Sequence, residues 1–298
     1  MPRPLRGRFA PTPSGPLHFG SLVAAVGSFL HARSRGGEWL VRMEDIDRPR
    51  VVPGAADAIL RLLEAYGMAW DGPVMIQSAR SEAYRAALDA LDAAGAVYPC
   101  GCSRREIADS NASGRSGSVY PGTCREGLPP GRAPRSLRVR TAGAAVAFDD
   151  LLQGRIRQTL DAEVGDFVVR RVDRSFAYQL AVVVDDAEQG ITEVVRGADL
   201  LGSTPRQIHL QRLLGLPTPT YAHLPVALNV QGEKLSKQTH APVLDSRQPA
   251  ATLWAVLHFL RQAPPREIAR ADIAMVWQWA LANWRLEAVA GITAAPAP

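Results

Sequence analysis

The sequence predicts an α/β protein built on a parallel sheet, on three observations. Strand and helix signals alternate from residue 7 to residue 65, and a second set of such signals resumes after residue 176. Between the two sets lies a stretch rich in Gly, Ser, Pro and Arg, residues 100–134, which holds every cysteine. One sheet interrupted by an insertion accounts for that order. The expected organisation is a Rossmann-like domain (1–99 and 166–245), an inserted subdomain (100–165), a short helical C-terminal region (246–290) and a flexible tail (291–298).

Each element has its own signal. Gly7–Ala10 reads as a short strand running into the turn-rich stretch Pro11–Pro16. Phe19–Arg33 places Leu22, Val23, Val26, Phe29 and Leu30 at helical spacing, and Gly36-Gly37 ends it. Glu38–Met43 resumes as a strand, and Pro53 precedes a second helix over 54–65. The runs LRVR, AVAF, GRIRQ and DFVVRR, between residues 137 and 172, predict small antiparallel strands. Phe176–Val184 is almost continuously apolar, which predicts a strand buried on both faces. Ile191–Arg196 predicts another strand and Pro205–Leu214 a helix. Helices are expected over 249–261 and 270–286, with Trp277, Trp279 and Trp284 as core residues rather than a stacking platform. Gly291–Pro298 is expected to fray.

Composition excludes several classes. Apolar residues make up 47% of the 298 and charged residues 21%, an ordinary globular balance. An odd count of three cysteines does not close a disulfide framework. No run approaches the ~18 apolar residues of a membrane span. Leu22–Leu30 imitates a signal-peptide core behind Arg3, Arg6 and Arg8, but the broken stretch Pro11–Pro16 intervenes, so a cytoplasmic location is expected. A net charge of +5 permits a polyanionic partner. Of 34 cationic side chains only Lys234 and Lys237 are lysines, which points to a site needing a compact ammonium. A solvated basic loop is the alternative.

Three constellations carry chemistry. In the first, Phe9 to Ser21, a strand passes through a glycine-bearing turn into a helix start. The free N–H groups and positive dipole end of such a start suit phosphate. His18 there can donate to a phosphate oxygen, and Gly20 lets a flat base approach the backbone. A purely structural turn with a capping His fits as well. The second is Lys234-Leu235-Ser236-Lys237-Gln238 after Gly232, where two ammonium groups can neutralise charge on a phosphoryl group. The third is Cys100-Gly101-Cys102 with Cys124, three thiols within 25 residues of irregular chain, which suggest structural zinc or reduced, unliganded thiols.

Together the first two resemble the paired signatures of class I aminoacyl-tRNA synthetases, in the right order and more than two hundred residues apart. Ser21 stands where many members have a second histidine, and Gln238 where Ser is common. RFAPTPSG (Arg8–Gly15) and RMEDIDR (Arg42–Arg48) are similar to glutamyl-tRNA synthetases, with likeness over roughly residues 7–245. Within that group the chain resembles a shortened branch that activates glutamate without tRNA, then attaches it to the queuosine base of tRNA(Asp).

The resemblance implies L-glutamate, ATP with Mg²⁺, and tRNA(Asp) carrying queuosine as partners of a monomer. It implies catalytic roles for His18, Lys234 and Lys237, with His18, Gly20, Ser21 and Lys237 on ATP. It places Arg8 and Arg196 at the glutamate carboxylates, Glu44 at the amine and Tyr178 along the side chain. It also implies structural Zn²⁺ on Cys100, Cys102 and Cys124, with Tyr120 as fourth ligand. The stretch after residue 245 is shorter than the ~100 residues of a separate anticodon-reading domain, which favours the queuosine-directed branch. The rival expectations are a glutamyl-tRNA synthetase acting on a tRNA 3′ end, a small nucleotidyltransferase using another acid, and a non-catalytic RNA- or zinc-binding paralogue.

Overall fold

Strand β1 (Arg6–Phe9) runs parallel to β2 (Glu38–Met43), with Arg6 opposite Glu38 and Phe9 opposite Val41. Both strands, and helix α1 (Phe19–Arg33) between them, occupy the expected residues to within one position. The chain is described here by a computed structural model covering residues 4–103, 105–107, 119–235, 244 and 247–298. The parallel order continues from β2 to β3 (Met75–Ile76). On the other side of β1, the Thr192 N–H donates to the Arg6 carbonyl (3.0 Å), which seats β9 (Glu193–Gly197) beside it. β9 pairs parallel with β10 (Thr220–Leu224), and β10 parallel with β6 (Ala145–Asp150). The parallel strands thus end along one edge.

The insertion is divided between two sheets. β4 (Val97–Cys100), β5 (Ser136–Val139) and β8 (Phe167–Arg170) form a separate antiparallel sheet, as the short alternating runs predict. The hairpin of β6 and β7 (Gly154–Thr159) instead extends the parallel sheet, with Asp150 opposite Tyr221.

Two expectations are corrected. Phe176–Val184 is not a strand; a helix spans Tyr178–Glu188. It buries Leu180, Ala181, Val182 and Val183 together with Asp185 and Asp186. A helix covered nearly all round shows no polar stripe, so its apolar run mimics a two-faced buried strand. Residues 291–298 do not fray either. Ala294–Pro296 forms β12, parallel to β11 (Val226–Leu228), and the Ala297 N–H donates to the Leu228 carbonyl at 2.8 Å. The open edge of β11 offers backbone groups that the tail satisfies.

The main core is aromatic at its centre. Trp39 stacks near-parallel on Phe9 (6.2 Å) and edge-on to Phe29 (5.1 Å), and Trp277 tilts against Phe29 at 4.8 Å. Trp277 also donates to the Tyr66 carbonyl at 2.7 Å, which docks the helix Ile273–Asn283 onto the C-terminal end of the helix Ala55–Ala65. Trp279 and Trp284 pack partly buried on the same core, in the role expected of them. Among the described residues no helix is long and apolar enough to cross a membrane.

Candidate active site

A cavity of about 660 Å³ opens where the parallel strands end. Arg8 comes from β1, Glu44 from the residue after β2, Arg196 from β9, and His18, Gly20 and Ser21 from the start of α1. Tyr178, Asp199 and Lys234 also line it. Clefts beyond the carboxyl ends of parallel strands are where α/β folds bind ligands. Lys237, with Ser236 and Gln238, lies outside the described residues.

The turn into α1 is built for its task. Gly15 sits at φ +128°, a conformation costly for other residues, and lets the chain double back between Pro13 and the helix. His18 is the N-cap, and its Nδ1 accepts from the Ser21 N–H at 3.3 Å. The ring proton of the neutral imidazole therefore sits on Nε2, a donor at the helix mouth. A Cβ on Gly20 would stand 3.3 Å from that ring and 3.6 Å from the Leu235 carbonyl. The two motifs, far apart in sequence, meet there. Lys234 returns along a short hairpin, bridged to Leu228, and its Nζ lies 2.5 Å from Asp199 Oδ2.

Behind the cavity lies a buried charge cluster. Arg8 Nε reaches Asp186 Oδ1 at 3.2 Å, and Arg42 Nη2 reaches both Asp186 Oδ1 (2.8 Å) and Glu44 Oε1 (3.3 Å). Arg42 also donates to Gln189 Oε1 at 2.7 Å. Asp185 accepts from Gln77, Tyr84 and Arg80 within 2.8 Å. Burial pushes the Glu44 carboxyl up from its ordinary range, against the pull of Arg42 and Arg8. Burial also pushes on Asp186, but Arg8 and Arg42 outweigh it and hold that carboxyl below the usual range. Two neighbouring acids thus differ in proton affinity. Asp186 stays ionised, and Glu44 is poised to pair with an added cation such as an amine.

Arg196 projects into the same cavity. Its Nη2 donates to Thr204 Oγ1 and Gln207 Oε1, both at 2.8 Å, and its Nη1 approaches the Tyr178 hydroxyl at 3.4 Å. Burial pushes the Tyr178 phenol up, so it stays neutral. Two arginines, one acid and one phenol therefore face a cavity whose other end is a helix N-terminus. That set suits a ligand with carboxylates, an amine and phosphates.

The sulfur cluster is a separate site. Cys100, Cys102 and Cys124 are unbridged, and their sulfurs all lie within 4.8 Å of one another. Cys102 and Cys124 sulfurs are 3.7 Å apart, and the Tyr120 hydroxyl is 3.4 Å from Cys100 and 3.8 Å from Cys102. Zn–S bonds of ~2.3 Å in a tetrahedron place sulfurs ~3.8 Å apart, so the spacing fits. The Cys124 N–H donates to the Tyr120 oxygen at 2.9 Å, and the Arg138 guanidinium stacks 3.9 Å over the Tyr120 ring. Burial pushes the Cys100 thiol up, but the Tyr120 hydroxyl, the Cys102 N–H and Arg138 outweigh it and bring it down to about 7. Burial and the adjacent thiols push the Tyr120 phenol up, so a phenolate there requires a cation's charge to form.

Sequence reasoning missed Arg42, Asp185, Asp186, Asp199 and His223. The pair Asp185-Asp186 followed by Gly190 at φ +64° carried a usable signal, since a helix stop fits it better than a strand end.

The family model described as tRNA synthetases class I (E and Q), catalytic domain, matches residues 4–252. The glutamyl-Q tRNA(Asp) synthetase of Dechloromonas aromatica is 62% identical over 291 residues, covering 97% of each chain. That of Aromatoleum aromaticum is 60% identical over 296 residues, covering 99% of this chain and 93% of its own. A solved glutamate tRNA ligase from Elizabethkingia meningosepticum, in complex with its amino acid, superposes with a TM-score of 0.81 at 25% identity. That match covers 99% of this chain and 67% of the ligase. The chain belongs to the class I tRNA synthetases of the E and Q group and carries their catalytic domain.

Proposed function

We propose that this chain activates L-glutamate with ATP and then transfers the glutamyl group to the queuosine base of tRNA(Asp). The observation that carries the reading is that one cavity is lined by Arg8, His18, Glu44, Tyr178, Arg196 and Lys234, in a chain whose relatives above bear the name glutamyl-Q tRNA(Asp) synthetase. Arg8 and Arg196 pair with the two carboxylates of glutamate, Glu44 with its ammonium, and Tyr178 flanks the side chain. His18 Nε2–H and the first N–H groups of α1 hold ATP phosphates, while Gly20 admits the adenine.

In the first step an oxygen of the glutamate α-carboxylate attacks the α-phosphorus, and pyrophosphate leaves with the electron pair of the broken P–O bond. No enzyme nucleophile is required, so the chain contributes positioning and charge. Lys234 and Lys237 stabilise the charge that grows on the bridging and leaving oxygens. Mg²⁺, entering with ATP, supplies charge neutralisation on the departing pyrophosphate. In the second step a hydroxyl of the queuosine ring attacks the activated acyl carbon, the acyl–phosphate bond breaks, and AMP leaves with its electron pair while a phosphate oxygen takes the hydroxyl's proton.

Zinc fits the sulfur cluster, with Cys100, Cys102, Cys124 and Tyr120 as its holders and a structural role in the insertion. In the proposed division, 1–99 and 166–245 bind the small substrates, 100–165 carries zinc and faces RNA, and 246–290 packs beneath as a monomer's closing helices. A cytoplasmic location follows from the tRNA substrate. The test is amino-acid-dependent exchange between ATP and pyrophosphate without tRNA. Glutamate alone among the acidic amino acids and their amides supports it; exchange driven by another acid, or none, overturns the reading.

A further inference from the structure

Arg196 is held from behind by residues that the cavity does not contain. Its Nε donates to His223 Nε2 at 3.1 Å, and His223 is wholly buried. Arginine is only a donor, so His223 Nε2 must accept, and the ring's proton must sit on Nδ1. Nδ1 in turn lies 2.5 Å from Asp150 Oδ2. The other oxygen of Asp150 is taken by three backbone N–H groups, those of Leu152 (3.0 Å), Gln153 (3.0 Å) and His223 (3.2 Å). The Thr204 hydroxyl, 3.1 Å from the same His223 Nε2, accepts from Arg196 Nη2 and is free to give its own proton to that nitrogen.

We propose that Asp150 and His223 are positioning residues that fix the Arg196 guanidinium for a ligand carboxylate. The relay rests on the reading of Arg196 as a glutamate contact. Asp150 ends β6, in the insertion, and reaches His223 because β6 pairs in register with β10. With Nε held by His223 and Nη2 by Thr204 and Gln207, the guanidinium plane is set, and Nη1 is the terminal nitrogen aimed beside Tyr178 into the cavity. The groups facing His223 are Asp150 from β6, Arg196 from β9, the more distant Arg8 from β1, the Thr204 hydroxyl and the stacked Tyr221 ring. Burial is the largest influence on the imidazole and keeps it neutral, as an acceptor must be.

The substitution Asp150→Asn tests this with little change of shape. Its oxygen is claimed by the three backbone donors, so its NH₂ must face His223 Nδ1. That forces the ring proton to Nε2, where it opposes the Arg196 Nε–H. Side-chain ¹⁵N NMR is expected to show an Nδ1–H tautomer for His223 in the wild-type chain and an Nε2–H tautomer in the variant. In pyrophosphate exchange, KM for glutamate rises about tenfold, the scale of one charge-assisted hydrogen bond, with KM for ATP nearly unchanged. An Nε2–H tautomer or an imidazolium in the wild-type chain at neutral pH overturns the relay, whatever the variant does. So does a folded variant with wild-type KM for glutamate. Absence of glutamate-driven exchange in the wild-type chain is a different failure, that of the substrate reading itself.

Discussion

Arg42→Met removes the hub of the buried cluster while keeping a side chain of similar length. Arg42 is fully buried and bonds Asp186 at 2.8 Å, Gln189 at 2.7 Å and Glu44 at 3.3 Å. With it, Arg8, Arg42 and Arg80 balance Glu44, Asp185 and Asp186. Without it three buried acids face two cations, one of them, Arg80, partly solvated. Asp185 keeps Gln77, Tyr84 and Arg80, and Asp186 keeps Arg8, so Glu44 bears most of the loss. Removing one partner of a buried ion pair costs about 3–5 kcal/mol. At about 2 °C per kcal/mol for a chain of this size, the melting point falls by roughly 6–10 °C. Urea unfolding followed by circular dichroism measures it, with the slope m expected to stay constant. KM for glutamate should rise too, because a Glu44 without Arg42 holds its proton more tightly. A stability loss below about 1 kcal/mol would show that the cluster is solvated and refute the reasoning.

Lys237→Ala is expected to slow glutamate-dependent pyrophosphate exchange by at least about tenfold, a loss of ~1.4 kcal/mol of transition-state stabilisation; an unchanged rate removes the second motif from the mechanism. Stability should fall as pH drops below about 6.5, because burial depresses the His209 and His223 imidazoles in the folded chain and the unfolded chain then binds more protons. Asp150, Asp166 and Glu193, each held below its ordinary range despite burial, add a second loss below about pH 4. A melting temperature flat between about pH 7.5 and pH 5 contradicts this. Chelation, or Cys124→Ser, should lower the melting temperature and release one zinc per chain; a chain purified without zinc and indifferent to chelators rules out the sulfur site.

The legible parts of the fold are those where one local rule decides. Helix 19–33 shows its apolar spacing, the following strand begins after two glycines, and Arg8 opens the motif RFAPTPSG that names its surroundings. The run Phe176–Val184 was not legible, because a helix packed on nearly every side removes the polar stripe that separates 3.6 from 2. The tail at 291–298 carries no strand pattern of its own; β11 supplies its partner from residues some seventy positions earlier. The relay from Asp150 to His223 and Arg196 depends on strand register across 73 residues, which no spacing in the sequence encodes. Arg42 lies within RMEDIDR beside one acidic partner, Glu44, but the other two, Asp185 and Asp186, reach it only through the fold.

The central claim is where the glutamate goes. Purified chain, ATP and labelled glutamate are incubated with tRNA(Asp) with and without queuosine, and with tRNA(Glu). The account predicts label on queuosine-bearing tRNA(Asp) alone, abolished by prior periodate cleavage of the base's cis-diol. Label on tRNA(Glu), or on tRNA(Asp) lacking queuosine, would contradict it.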